Sequence, residues 1–115
     1  MNGKKLLEIS VPGIVSTNSN RQRVFVWRQT LDGVLTSTFF PVFEGRKISV
    51  KLTFWINENR LKNKRNDLDN LSKPVLDSLI RSRIIVDDSD IFHLEATKCP
   101  TEGEEEVQIM VREWN

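Results

Sequence analysis

The residues of this chain that are best suited to chemistry are three aspartates and a lysine. Asp67 and Asp69 are two positions apart, Lys73 follows Asp69 by four positions, and Asp88 comes fifteen positions later. Three carboxylates held together would repel one another strongly unless a cation or protons intervened. Oxygen ligands of this kind suit hard divalent cations, and Mg²⁺ binds through a few carboxylates while it keeps water ligands. The residues therefore predict a Mg²⁺ site, which Mn²⁺ is also able to occupy.

Composition excludes several other classes of site. Cys99 and His93 are the only residues of their kinds in the 115-residue chain, so an intramolecular disulfide and a Cys/His zinc cage are both excluded. With 38% hydrophobic and 29% charged residues, the chain has an ordinary globular composition and a length that suits one domain over residues 1–115. No apolar run approaches the roughly 20 residues of a membrane span. Charged residues precede any signal-peptide stretch at the N-terminus, which leads us to expect a cytoplasmic protein.

One helix and several strands are expected to position the aspartates. Alternating or β-rich segments predict strands over 6–11, 48–56 and 107–111. Asp32-Gly33, between residues 23–30 and 34–40, predicts a hairpin turn. A helix over about residues 70–82 is predicted from apolar residues at helical spacing, namely Leu71, Val75, Leu76, Leu79 and Ile80. The expected fold class is α+β, a small mixed sheet packed with one main helix.

Pro74 restricts where that helix begins, because proline inside a helix loses a hydrogen bond and clashes with the preceding turn. Either Asp69 caps the helix, or Ser72 or Lys73 does. Both alternatives leave residues 67–69 outside the helix, where side chains two positions apart in extended chain point the same way. Asp67 and Asp69 are then able to converge.

Chain lengths allow Asp88 to join them. The predicted helix extends away from Asp67 and Asp69 for about 12 residues, or ~18 Å. Residues 82–88 are able to return over ~23 Å if residues 84–86 are extended. The competing interpretations are structural: Asp69 as a helix cap, residues 87–90 as a polar turn, and Lys73 in a surface ladder of charges at four-residue steps. That ladder comprises Asp69, Lys73, Asp77 and Arg81.

The net charge is +1, but basic and acidic residues are unevenly distributed along the chain. Residues 46–83 carry ten Lys and Arg against four Asp and Glu, a local charge of +6. The structural interpretation of this basic stretch is that its scattered lysines form a solvated charged surface. The four bases immediately before the acidic motif are also candidates for contacts with nucleic-acid phosphates. They are Arg60, Lys62, Lys64 and Arg65.

The acidic motif also resembles a known family. The segments that carry the likeness are Arg65-Asn66-Asp67-Leu68-Asp69-Asn70-Leu71-Ser72-Lys73-Pro74-Val75-Leu76-Asp77-Ser78-Leu79 and Ile84-Ile85-Val86-Asp87-Asp88-Ser89-Asp90-Ile91, with weaker echoes in Ser16-Thr17-Asn18, Asn20-Arg21 and Glu95-Ala96-Thr97-Lys98. Together they resemble the signature of RusA-type Holliday-junction resolvases. Residues 22–43 depart from the family pattern.

The resemblance implies that Asp67, Asp69 and Asp88 bind magnesium and that Lys73 assists catalysis. It further implies an α+β homodimer, found in bacteria and often encoded by prophages, that cuts four-way DNA junctions during recombination and repair without an organic cofactor.

We expect the large aromatic side chains in the core or the dimer interface before any role in base stacking. They are Trp27, Phe39, Phe40, Phe54 and Trp55. The rival hypothesis is a non-catalytic module that binds branched DNA and whose acids are structural.

Overall fold

The computed structural model of the chain describes residues 2–37 and 46–114. Its elements in chain order are β1 (Asn2–Pro12), α1 (Arg21–Ser37), β2 (Ile48–Asn57), α2 (Glu58–Leu61), α3 (Leu68–Arg81), a short 3-10 turn (Asp88–Asp90), β3 (Ile91–Thr101) and β4 (Glu106–Trp114). The strands predicted over 6–11, 48–56 and 107–111 are confirmed, as is the helix predicted over about 70–82. No helix in the described ranges is long and apolar enough to cross a membrane.

Within the described residues, four strands form one mixed sheet in the order β1-β4-β2-β3. β4 pairs antiparallel with both β1 and β2, whereas β3 runs parallel to β2 at the edge. Alternation along β2 buries Val50, Leu52, Phe54 and Ile56. These side chains join buried residues of α1 and α3 in one core. The predicted α+β fold with a mixed sheet is therefore confirmed.

The hairpin predicted around Asp32-Gly33 is wrong, because α1 occupies this segment as a helix of 17 residues. Its buried side chains are Val24, Trp27, Leu31 and Leu35, whose spacings of three and four form one helical stripe. β-branched and aromatic residues favour strands locally, but burial of this stripe overrides that preference. The described part of the chain thus contains two long helices, α1 and α3, where one main helix was predicted. Residues 38–40 of the predicted hairpin lie outside the described residues.

Two local features position α1 in the fold. The Oδ1 atom of Asn20 accepts a hydrogen bond from the backbone N–H of Arg23 at 3.1 Å, so Asn20 caps the helix. Gly13, which follows β1, has a φ of +151°, and a Cβ atom there would lie 2.9 Å from Cζ3 of Trp27. Glycine at this position therefore allows the backbone to approach the buried indole closely.

The sequence patterns did not predict β3, which pairs with β2 over its whole length. As an edge strand it has no fully buried residue, and Phe92 and Leu94 are 56% and 46% exposed. An edge strand with two partly exposed faces lacks the regular alternation of a half-buried strand.

Candidate active site

The helix α3 begins one residue after Asp67. Asp67 has extended backbone angles, and its Oδ1 atom accepts a hydrogen bond from the backbone N–H of Asn70 at 2.9 Å. The prediction that Asp69, Ser72 or Lys73 caps the helix is therefore wrong. Pro74 lies inside the helix, where its ring is buried, so packing offsets part of the cost of the missing backbone donor.

The early helix start changes the relation between Asp67 and Asp69. Asp69 lies in the first turn of α3 rather than in extended chain, so the argument that the two side chains point the same way does not hold. Asp69 lines a cavity of about 510 Å³ along α3, and Asp67 is not among the residues that line it. The two aspartates therefore lie at the same helix end but have different surroundings.

We call this cavity the acidic groove. Asp69, Lys73 and Asp77, at four-residue steps on one face of α3, line it together with Asp88 and with Leu94 of β3. The groove also contacts the following apolar or hydroxyl residues: Leu68, Ser72, Leu76, Ile80 and Ala96. Asp69 and Asp77 are about 12 Å apart along the helix axis at ~1.5 Å per residue, so the groove is elongated. Three of the four predicted catalytic residues, Asp69, Lys73 and Asp88, share it.

The chain reaches Asp88 by a tight reversal rather than through extended residues 84–86. Arg83 adopts a left-handed conformation with a φ of 61° directly after α3. The backbone N–H groups of Ile84 and Ile85 then donate to the carbonyl oxygen of Leu79 at 3.0 and 3.2 Å. Both isoleucine side chains are buried, so hydrophobic packing holds the reversal in place.

Negative neighbours surround Asp88. The Asp87 carboxylate forms a hydrogen bond with the Asp88 carboxyl and repels its charged form, and slight desolvation and the charge of Asp77 act in the same direction. These effects raise the pKa of Asp88 above its ordinary value. The pKa of Asp87 is lowered, chiefly because its carboxylate accepts a hydrogen bond from the backbone N–H of Ser89 at 2.9 Å. A cation placed near Asp88 would relieve this repulsion.

The donor set of the groove suits a hard cation. Among the described residues no group of three His, Cys, Asp or Glu side chains is arranged to hold a metal ion. Mg²⁺, however, is commonly bound through one or two carboxylates, with water and substrate phosphate as its other ligands. Asp69 and Asp88 provide two such carboxylates in one groove. The residues present therefore fit Mg²⁺ as an ion that substrate helps to bind.

Arg60, predicted to contact phosphates, is already engaged in the fold. Its guanidinium forms an ion pair with Glu105 and donates to the carbonyl oxygen of Val15 at 2.8 Å. Glu105, whose side chain is 8% exposed, also accepts from the backbone N–H groups of Val15 and Asn57. Arg60 and Glu105 together thus join the segment after β1 to the end of β2. Lys62, Lys64 and Arg65 are exposed, and their contacts with phosphates stay a prediction.

Sequence reasoning assigned no functional role to Asp77 or Lys98. The sequence places Asp77 in the surface ladder, and its four-residue spacing from Lys73 indicates that both lie on one helix face, which lines the groove. Arg81, the last member of that ladder, pairs with Asp32 of α1 instead. The Nζ atom of Lys98 donates to the carbonyl oxygens of Leu61 and Asn66 at 3.3 and 3.0 Å, which fixes the loop before α3 against β3.

Comparison with known proteins agrees with the resemblance in the acidic motif. A family model described as Endodeoxyribonuclease RusA matches residues 17–112, a range that includes α1, α3 and every residue of the acidic groove. No individual curated protein matches the chain at a significant level. Because the family model covers most of the chain, this protein belongs to the RusA endodeoxyribonuclease family, whose activity is the internal cleavage of DNA.

Proposed function

We propose that this protein is a divalent-metal-dependent nuclease that resolves four-way DNA junctions during recombination and repair in bacteria or their prophages. The observation that carries the proposal is the acidic groove, in which Asp69, Asp88 and Lys73 lie together in a chain of the RusA endodeoxyribonuclease family. A phosphodiester backbone that enters this groove would meet carboxylates able to hold Mg²⁺ and an ammonium group able to contact a phosphate oxygen.

Asp69 and Asp88 would hold the cation, with Mn²⁺ as a substitute, and Asp67 is the third proposed ligand. When bound, a divalent ion lowers the pKa of its water, polarises the phosphoryl oxygen and orients the scissile group. Asp67 uses its Oδ1 atom as a helix cap. It is able to contribute its negative charge and its Oδ2 atom to cation binding.

Lys73 has a separate proposed role. Its side chain is exposed in the groove, and no hydrogen bond or ion pair engages its ammonium among residues 2–37 and 46–114. A free ammonium in this position would stabilise the negative charge that develops on the phosphate or on the leaving oxygen. The lysine therefore contributes to the transition state rather than to the fold.

The symmetry of the substrate favours a homodimer. A four-way junction has two strands to cut at symmetry-related positions, so a two-fold dimer with one acidic groove per subunit matches the task. A monomer would only nick one strand.

Asp69→Asn tests the proposal most directly, with Asp90→Asn as its control. Asp90 lies in the 3-10 turn beside Asp88 but does not line the groove. Each protein is incubated with labelled four-way junctions, linear duplex and single strands, in Mg²⁺, in Mn²⁺ and in a chelator. We expect paired symmetric nicks in the junction from the wild type and from Asp90→Asn with either metal, and none in chelator. Asp69→Asn should bind the junction without cutting it.

Two results would contradict the proposal. Cutting by Asp69→Asn at the wild-type rate would remove the groove as the active site. A wild-type protein that binds branched DNA but cuts nothing in Mg²⁺ or Mn²⁺ would support the alternative, a binding module with structural acids. In that case affinity would still fall steeply with salt, because binding would rest on phosphate contacts.

A further inference from the structure

A second cleft lies beside the start of α3 and has the opposite charge. We call it the arginine cleft, a space of about 140 Å³ between the segment after β1, the start of α1 and the loop before α3. Three arginines line it, namely Arg23, Arg60 and Arg65. The other described residues that line it are serine, threonine and asparagine, and none is acidic. This composition is that of a site for an anion rather than for an apolar ligand.

The inner wall of the arginine cleft is held in place before any ligand arrives. Ser16, Thr17 and Asn66 are each at most 5% exposed. The Nδ2 atom of Asn66 donates to the carbonyl oxygen of Arg60 at 3.1 Å, and the Asn66 carbonyl oxygen accepts from Lys98. With Arg60 neutralised by Glu105, these bonds make a rigid polar floor. A cleft whose floor is already ordered loses little conformational entropy when it binds an anion.

The outer wall of the arginine cleft carries two positive charges that no acidic side chain of the described residues pairs with. The guanidinium groups of Arg23 and Arg65 make no hydrogen bond and no ion pair with any residue in the described part of the chain. Apart from the backbone bonds of the helix itself, Arg23 donates only from its backbone N–H, to Oδ1 of Asn20. The hydroxyls of Thr17 and Ser19 bond to each other at 2.6 Å, which uses one of their two hydrogens and leaves the other to donate. Two arginines and a free hydroxyl hydrogen therefore face one small space.

The position of the cleft indicates which anion it takes. Asn66 lines the arginine cleft, Asp67 follows it directly, and Asp69 lines the acidic groove. The two sites thus adjoin at the start of α3. A DNA strand that places one phosphate in the acidic groove would carry a neighbouring phosphate toward the cleft, where arginines are able to bind it through paired hydrogen bonds.

We propose that the arginine cleft binds a phosphodiester of the DNA strand that flanks the scissile one, with Arg23 and Arg65 as the residues that contact it. This inference rests on the proposed function, because it assumes that DNA enters the acidic groove. It assigns Arg23, on α1, to the DNA interface, and it gives Arg60 the role of holding the cleft wall. Such a contact fixes the register of the strand without reading its sequence.

The test compares Arg23→Gln with Arg21→Gln. Both residues are exposed and lie in the first turn of α1, both substitutions remove one positive charge, and only Arg23 lines the cleft. Junction binding is measured in chelator over a range of salt concentrations. We expect Arg23→Gln to weaken binding about tenfold and to reduce the salt slope by about one unit, the effect of one lost phosphate contact. Arg21→Gln should stay within about twofold of the wild type.

A second measurement locates the phosphate. Junctions are made with a single uncharged methylphosphonate at each linkage near the cut. One flanking linkage should weaken wild-type binding by more than about tenfold and should weaken binding by Arg23→Gln clearly less, because that variant has already lost one of the two arginine contacts to the phosphate. Competition by inorganic phosphate alone, with no sensitive linkage, would assign the cleft to a free anion and overturn the inference.

The failure of this inference is distinguishable from failure of the proposed function. If the wild type cuts junctions and Arg23→Gln matches Arg21→Gln in affinity and salt slope, the arginine cleft is not a phosphate site while the nuclease assignment stands. If the wild type binds no DNA, both are overturned.

Discussion

The Oδ1 atom of Asp67 accepts the backbone N–H of Asn70 at 2.9 Å, so the first aspartate of the acidic motif is also the cap of α3. The cap sets where the helix begins. Asp69, Lys73 and Asp77 follow on one face of the helix and line one side of the acidic groove. A residue proposed to bind the cation therefore also determines where the other groups of the site lie, and substitutions at Asp67 are able to separate the two roles.

Asp67→Ala and Asp67→Asn should differ in stability. Asparagine is as good a cap as aspartate, whereas alanine leaves the Asn70 N–H without its partner at a cost of about 1 kcal/mol. We expect Asp67→Ala to lower Tm by about 3 to 6 °C and Asp67→Asn to leave it nearly unchanged in metal-free buffer. Differential scanning calorimetry measures both. Both variants should lose metal-dependent cutting, because each removes the charge. Equal Tm values for the two variants would show that the cap contributes nothing to stability.

Lys73→Met should reduce the rate of cutting without affecting the fold. Removal of one group that stabilises transition-state charge costs about 10²- to 10³-fold in rate. We expect a loss of about 100-fold in single-turnover rate at saturating enzyme, with Tm unchanged. The control is Lys4→Met, an exposed lysine of β1 outside the groove. A similar loss of rate in both variants would indicate that the general positive charge matters and that the position of Lys73 in the groove does not.

Asp32 joins the two long helices and should make stability depend on pH. Arg81 donates to it from Nη2 at 2.9 Å, and the buried Ser78 hydroxyl donates to the same carboxylate. Partial burial raises the pKa of Asp32, but the hydrogen bonds from Arg81 and Ser78, with the charges of Arg81 and Arg28, outweigh it and hold the pKa below its ordinary value of 3.8. A lowered folded-state pKa means that the stabilisation is complete above the unfolded-state pKa and is lost as pH falls through the folded-state pKa.

Urea denaturation of the wild type and Asp32→Asn at several pH values checks this dependence. The Arg81 and Asp32 side chains are 45% and 39% exposed, so we expect Asp32→Asn to cost less than about 1 kcal/mol at pH 7. The difference should shrink as pH falls below 3.8. Asp32→Ala should cost about 1 to 3 kcal/mol, because it also leaves the Ser78 hydroxyl without an acceptor. A difference that grows toward acid would contradict the assigned direction of the pKa.

The sequence patterns were accurate where local residue preference agrees with the buried face of the element. The alternation in β2 and the helical stripe in α3 predicted both elements, because the period of burial matches the period of the backbone. They were wrong for α1, where Val24 to Trp27 have strand preference and Asp32-Gly33 has turn chemistry. The helix forms there because Trp27, Leu31 and Leu35 fill the core together, which is a property of the packed molecule.

By itself, the sequence determined the chemistry of the candidate site. One cysteine and one histidine exclude a Cys/His zinc cage, the aspartates predict a hard cation, and the acidic motif identifies the family, which the family model confirms. Only the tertiary structure decided which of those groups meet. The reversal at Arg83 brings Asp88 to the face of α3, the Glu105 carboxylate fixes Arg60 in the fold, and the packing of α1 places Arg23 beside Arg65. The physical reason is that side-chain chemistry is carried by each residue, whereas proximity between distant residues depends on the packing of the whole core.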